Sequence, residues 1–328
     1  MPQLTPPLGL GPLGLLLPPQ PPRERAAAAW HTGGATDDAT FGSTPWVLET
    51  CREAEEAGAS AIWASDHLFW RRPTLECLTT LAVAAVATRR SVLGTCVLQL
   101  PLRRAAAVAK QVSSLQLLSG QRVVLGVGVG SHEGEYRAAG APFATRGRAL
   151  DEGITELRRI WGNDGAAPAY RHEPALAAPV WVGGSSPAAL RRAARLGDGW
   201  VPLFVGPERF RADLATVREQ AARAGRDPEH VTPAVVMVAA VGRAPDAAAA
   251  GLAGLSDLYG FPPRAFERHL VAGSATHCAA AAERYLDAGA SHVAVMVAGD
   301  GVVGAFGQIT EALGAAVPAE PALAGAGS

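Results

Sequence analysis

One pattern repeats from end to end of the chain. A short, nearly continuous apolar run gives way to a glycine or polar break, and an Ala/Leu/Arg segment with helical spacing follows. The apolar runs are LGLLL (13–17), SAIWAS (60–65), SVLGTCVLQL (91–100), RVVLGVGV (122–129), PVWVGG (179–184), DGWVPLFV (198–205), PAVVMVAAV (233–241) and SHVAVMVAG (291–299). Helix candidates between them include TPWVLETCREAEEAG, LECLTTLAVAAVATRR, RAAAVAKQVSSLQLLSG, RGRALDEGITELRRIW and SPAALRRAARLG. Strands that are apolar throughout must be covered on both faces, as in a parallel sheet flanked by helices. Alternating strand and helix is the α/β pattern. Eight units in about 315 residues predict a closed (β/α)8 barrel with inserted segments. The rival is a doubly wound sheet, but the G-x-G-x-G of LGVGVGS lacks the glycine spacing of a dinucleotide fingerprint.

Composition narrows the function classes. The 328 residues are 48% hydrophobic and 18% charged, enough to bury a large core. With 29 basic and 30 acidic residues the net charge is −1, so nothing electrostatic draws the chain to nucleic acid or an anionic membrane. Lys110 is the one lysine, on an ordinary helical stretch. Cys51, Cys77, Cys96 and Cys278 are scattered, which predicts neither a zinc site nor a disulfide framework and suits a reducing cytoplasm. The proline-crowded opening has no positive n-region, and no apolar run reaches membrane-spanning length. The expected organisation is one domain over residues 11–315, with 1–10 and 316–328 unstructured. Residues 20–43 and 162–178 read as loops. The stretch 244–270 is expected to hold a short helix and an excursion over the barrel mouth, where long loops tend to cover active sites.

In such a barrel, residues at strand C-termini face the active site. Asp66 and His67 end the second strand; an imidazole exchanges protons near neutral pH, and an adjacent acid can orient it. Trp70 would add a flat apolar wall. The plainer alternative is a turn cap at Asp66 and a packed His67. Gly126, Gly128 and Gly130 end the fourth strand, permitting either close ligand approach or simple packing. His132, Glu133 and Glu135 follow, without a third ligand at metal-binding spacing. Thr95, Cys96 and Val97 stand near the mouth, Cys96 reading as a small buried residue. VWVGGSSPAAL runs a strand through Gly183, Gly184 and Ser185 into a serine-capped helix opened by Pro187. That geometry makes an anion seat from free amides and the helix dipole.

In this order the motifs AEEAGASAIWASDHLF, LGTCVLQLPLRRAAAVAKQVSSLQLLSGQRVVLGVGVG, RGRALDEGITELRRIW and PVWVGGSSPAALRRAARLGDGWVP carry a resemblance. From about Gly9 to Leu313 the chain resembles the luciferase-like monooxygenase superfamily, especially its branch using the deazaflavin coenzyme F420. The resemblance implies a (β/α)8 barrel with a flavin or deazaflavin across its C-terminal mouth. Asp66 and His67 then match the branch's Asp-His pair, the histidine acting beside the ring as acid or base. Thr95 adjoins Cys96 and Val97, which match the site of an unusual cis peptide that buttresses the ring. Val129, Gly130 and Ser131 match a loop bordering the cofactor, and Gly183, Gly184 and Ser185 match the segment holding its phosphate-bearing tail. Val129 stands where some FMN-using members place an arginine, which favours F420 over FMN. The scarcity of lysine disfavours a sugar phosphate. F420 would imply hydride transfer to or from a small organic substrate, and FMN would imply oxygen activation. A barrel that binds a flavin without turnover is the reading from another class. Trp30, Phe41, Trp70 and Tyr259 are the expected substrate-pocket residues, no metal is expected, and family habit implies a cytoplasmic homodimer.

Overall fold

A computed structural model describes residues 10–19, 44–71, 74–162 and 176–316. The apolar runs form strands β1 (Leu13–Leu16), β2 (Ala61–Ala64), β3 (Val92–Thr95), β4 (Leu98–Gln99), β5 (Val123–Gly128), β6 (Val180–Gly183), β7 (Gly199–Val201), β8 (Thr232–Val241) and β10 (His292–Val297). All their pairings are parallel, in the order β10-β1-β2-β3-β5-β6-β7-β8, and β8 pairs back onto β10 to close the barrel. This is the (β/α)8 fold expected, not the doubly wound rival. Helices α1 (Thr44–Glu56), α2 (Cys77–Ala87), α3 (Ala105–Ser119), α5 (Arg146–Trp161), α6 (Pro187–Leu196), α7 (Pro207–Arg223) and α9 (Ala275–Asp287) lie between strands, and α10 (Val302–Ala316) follows β10. The short α4 (Glu133–Ala138) follows β5, and α8 (Ala244–Tyr259) follows β8. Among the described residues no helix is long and apolar enough to cross a membrane.

Alternation along each strand sorts side chains into two cores. On β8 and β10, Val235, Met237, Val293 and Val295 pack toward the helices. Ala234, Val236, Ala294 and Met296 belong to a second cluster that fills the barrel with Trp63 and Trp181. The two indole centroids are 5.3 Å apart. Glycines on neighbouring strands make room for them: a Cβ at Gly94 would lie 2.1 Å from the Trp63 ring, and one at Gly199 2.4 Å from Trp181. Trp63 Nε1 donates to His292 Nε2 at 2.9 Å, and His292 Nδ1 lies 2.7 Å from the Gly11 carbonyl. Burial pushes His292 down to about 4, so the ring is neutral and donates from Nδ1 to Gly11.

Two features differ from the sequence reading. The run at 91–100 is not one strand: β3 ends at Thr95 and β4 resumes at Leu98, with the Cys96–Val97 peptide between them cis, as the resemblance implies. Within 244–270, α8 is a full 16-residue helix. After it comes an unexpected strand, β9 (Leu270–Gly273), which pairs with the Val238–Val241 end of β8. Only four residues, three half-buried and Gly273 buried, form β9, too short a run to stand out by periodicity, and the ten-residue β8 is long enough to pair with β7, β10 and β9.

A carboxylate ties the floor of the barrel. Glu55 accepts from the main-chain N–H groups of Arg89, Arg90 and Ser91 and from the Ser91 hydroxyl, at 2.7–3.2 Å. Burial works to raise its carboxyl, but these donors win and hold it at about 2. A folded pKa below the unfolded one stabilises fully above the ordinary carboxylate range, and the gain is lost as pH falls through about 2. The stability gap between wild type and Glu55→Gln, read by denaturant unfolding, should therefore be constant above pH of about 5 and narrow steadily in acid. In the barrel interior, Gly94→Ala should cost about 1–3 kcal/mol by overpacking Trp63. In the same assay Trp63→Leu should recover part of that loss, since residues in contact are not additive.

Candidate active site at the barrel mouth

Strand C-termini converge on a cavity of about 290 Å3. Leu16 and Leu17 reach it from β1, Ser65 and His67 from β2, Cys96 and Val97 from the β3–β4 break, and Gly183 and Gly184 from β6. Leu203, Val236 and Met296 line its depth, while α8 lays Leu255, Leu258 and Tyr259 over it. Among the described lining residues none is Asp, Glu, Lys or Arg, and His67 is the one imidazole there.

His67 is held on two sides. Its ring stacks on Trp70 with centroids 3.8 Å apart, and Trp70 Nε1 donates to the Leu258 carbonyl at 2.7 Å, fixing the indole beneath α8. Its Nδ1 lies 3.1 Å from Glu135 Oε2. Glu135 is fully buried, and burial alone would raise its carboxyl. Hydrogen bonds from His67, the Phe69 N–H and the Gln99 amide outweigh burial and hold it below the usual carboxylate range. The Leu68 N–H donates to it as well, at 2.6 Å. An ionised carboxylate only accepts, so His67 donates from Nδ1, and in the neutral ring that leaves Nε2 bare.

The acid that orients His67 is therefore Glu135 and not its neighbour Asp66. Asp66 turns away from the cavity into a two-pronged pair with Arg103, Nη1–Oδ2 2.7 Å and Nη2–Oδ1 2.8 Å, and accepts the Gln99 N–H at 2.9 Å. It thereby locks the turn carrying His67 against the start of β4. The ligand atoms of Asp66, Glu76 and Cys77 lie within 4.8 Å of one another. Arg103 already contacts both of those carboxylates there.

Other residues singled out in the sequence fall into three groups. His67, Trp70, Cys96, Val97, Gly183, Gly184 and Tyr259 come together on the cavity. Thr95 is buried behind it, donating to the Gly126 carbonyl at 2.6 Å, and burial pushes the Cys96 thiol up to about 12, which leaves it inert. Val129, Gly130 and Ser131 are not among the lining residues; the Val129 carbonyl accepts from the Tyr136 hydroxyl, and Gly130 covers the Gln99 amide. Gly126 and Gly128 serve packing: a Cβ at Gly126 would meet the Thr95 carbonyl at 2.0 Å, and one at Gly128 the Val97 side chain at 2.5 Å. Trp30 and Phe41 lie outside the described residues.

Opposite His67, Gly184 adopts φ +101°, a backbone state suited to glycine, and its carbonyl accepts from Trp200 Nε1 at 2.8 Å. Ser185 follows, and Ser186 caps α6 by accepting from the Ala189 N–H at 3.2 Å, with Pro187 at the first helical position. The remaining first-turn amides and the helix dipole favour an anion. An apolar cleft, one imidazole and a glycine edge leading to a helix N-terminus fit a planar redox ring with an anionic tail.

Comparisons with known proteins agree. The sequence profile of the luciferase-like monooxygenases matches residues 26–319. The phthiodiolone/phenolphthiodiolone dimycocerosates ketoreductase of Mycobacterium tuberculosis is 30% identical over 195 residues, covering 54% of this chain and 51% of the relative. The chain thus spans about half the length of the curated relatives it matches. The coenzyme F420 dependent tetrahydromethanopterin reductase from Methanopyrus kandleri shares the fold with TM-score 0.73 at 17% identity, over 94% of this chain and 99% of that one. The monooxygenase RslO1 from Streptomyces bottropensis does so with TM-score 0.74 at 19% identity, over 93% and 99%. With a family profile matched over most of its length and the barrel to go with it, this chain belongs to the luciferase-like monooxygenase family.

Proposed function

We propose that the protein is an oxidoreductase that seats coenzyme F420 at the barrel mouth and acts on a small organic substrate, with His67 moving the accompanying proton. The observation that carries this reading is the placement of His67, which lines an apolar cavity while a buried, ionised Glu135 holds its Nδ1. Two of the similar proteins are named as reductases, one of ketones and one dependent on F420. When bound, the deazaflavin would supply or accept the hydride.

The chain's own residues supply the rest. Gly183, Gly184, Ser185 and the first turn of α6 would hold the anionic tail, the glycines allowing it close approach to the main chain and the helix dipole favouring its charge. Val97, Leu203, Val236 and Met296 exclude water from the ring and substrate, which strengthens every polar contact made inside. His67 Nε2 takes the proton from an alcohol or gives one to the nascent oxygen or carbon, while Trp70 keeps the imidazole plane fixed. Asp66 acts at one remove, through the Arg103 pair that sets the turn. The absence of lining carboxylates and guanidiniums among the described residues favours an uncharged substrate.

A fluorescence titration distinguishes the cofactors. F420 should bind at least about tenfold tighter than FMN. Tighter FMN binding would favour oxygen activation instead, and failure of both below roughly millimolar would overturn the reading. With F420 bound and a panel of neutral alcohols and ketones, His67→Ala should lower turnover about 10²–10⁴-fold while shifting cofactor affinity only a few-fold. Unchanged turnover would leave a barrel in which His67 has no chemical part.

A further inference from the structure

The two oxygens of Glu135 have different surroundings. Oε1 accepts the main-chain N–H groups of Leu68 and Phe69 at 2.6 and 3.1 Å. Oε2 faces two imidazoles: His67 Nδ1 at 3.1 Å and His132 Nδ1 at 4.0 Å, with the Gln99 amide donating from the side at 3.2 Å. The same rings meet Trp70 from different directions, His67 on its face and His132 on its edge, with centroids 5.8 Å apart in the second case. His67 lines the cavity, whereas the His132 side chain is 53% exposed. Although His132 stands at the start of α4, its side chain makes no capping hydrogen bond. Gly134 leaves the ring its space, since a Cβ there would lie 2.9 Å from His132 Cε1. A buried carboxylate thus stands between an imidazole that sees the cavity and one that sees solvent.

We propose that His67, Glu135 and His132 form a proton relay between the barrel-mouth cavity and bulk water, with His132 as its outer end. The proposal rests on the oxidoreductase reading, because the proton that accompanies a hydride must enter or leave a cavity whose described lining carries no carboxylate. A proton collected at His67 Nε2 makes the ring cationic. The ring then releases its Nδ1 proton to Glu135 Oε2, the carboxyl passes it to His132 Nδ1, and His132 gives one from Nε2 to water. One half-reaction runs this chain outward and the opposite one runs it inward, so every group returns to its starting protonation. Glu135 is a transient carrier only, because its donors favour the ionised form. Closing the gap of 4.0 Å needs a side-chain rotation of an exposed residue, a motion of picoseconds to nanoseconds. Asp66, the other buried acid of this corner, is occupied by Arg103 and does not compete.

The test needs neither cofactor nor substrate. In protein with ¹⁵N-labelled histidine, exchange of the His67 Nδ1–H with water can be followed by NMR. Replacing the exposed His132 by Ala or Asn should slow that exchange about tenfold or more, and free imidazole in the buffer should restore it in the Ala variant. Gly134→Ala, which displaces the His132 ring, should slow it to a lesser degree. Unchanged or faster exchange in His132→Ala overturns the relay, as does a slow variant that imidazole does not rescue. Neither outcome bears on F420 binding or on the His67→Ala turnover loss, so the relay and the underlying reading fail separately.

Discussion

The barrel closes only because its interior is shared between large and absent side chains. Trp63 and Trp181 fill the space within the strands, and Gly14, Gly94 and Gly199 on adjacent strands give way to them. A Cβ at Gly14, Gly94 or Gly199 would lie 2.8, 2.1 or 2.4 Å from an indole atom. With the lower interior solid, the cavity is confined to the C-terminal rim, where strand order brings residues 65–70, 96–97 and 183–184 together from distant parts of the chain.

Charge at that rim is arranged so that little of it reaches the cavity. Asp66 is matched by Arg103, and Glu135 is surrounded by N–H donors from Leu68, Phe69, Gln99 and His67. A buried carboxylate without such partners would give up its charge; with them it stays ionised and acts as a fixed acceptor. The consequence is chemical. The neutral His67 ring rests in one tautomer and one plane, as a positioned acid–base group needs, and none of the other described lining residues carries a charge.

Much of the architecture was legible because continuous apolar runs and capped helices are local signals. The eight barrel strands, the Ser186–Pro187 helix start and the cavity positions of His67, Trp70, Gly183 and Gly184 follow from that reading. Glu135 was not legible as the partner of His67: the two are 68 residues apart, and only the register of β2 against β5 through β3 sets them side by side. Gln99 and Arg103 escaped for the same reason. The glycines after the fourth strand could serve a ligand or packing, and the Thr95 carbonyl and the Val97 side chain, invisible in a linear sequence, decide for packing at Gly126 and Gly128. β9 is too short for any periodicity to announce it.

The central claim is that a buried, charged Glu135 dictates which nitrogen of His67 meets the cavity. Long-range ¹H–¹⁵N correlation spectra, recorded where the imidazole is neutral, report the tautomer directly. The structure requires the proton on Nδ1 in the wild type and a redistribution toward Nε2 when Glu135 is replaced by Gln. A wild-type ring protonated on Nε2, or a tautomer indifferent to residue 135, would contradict it.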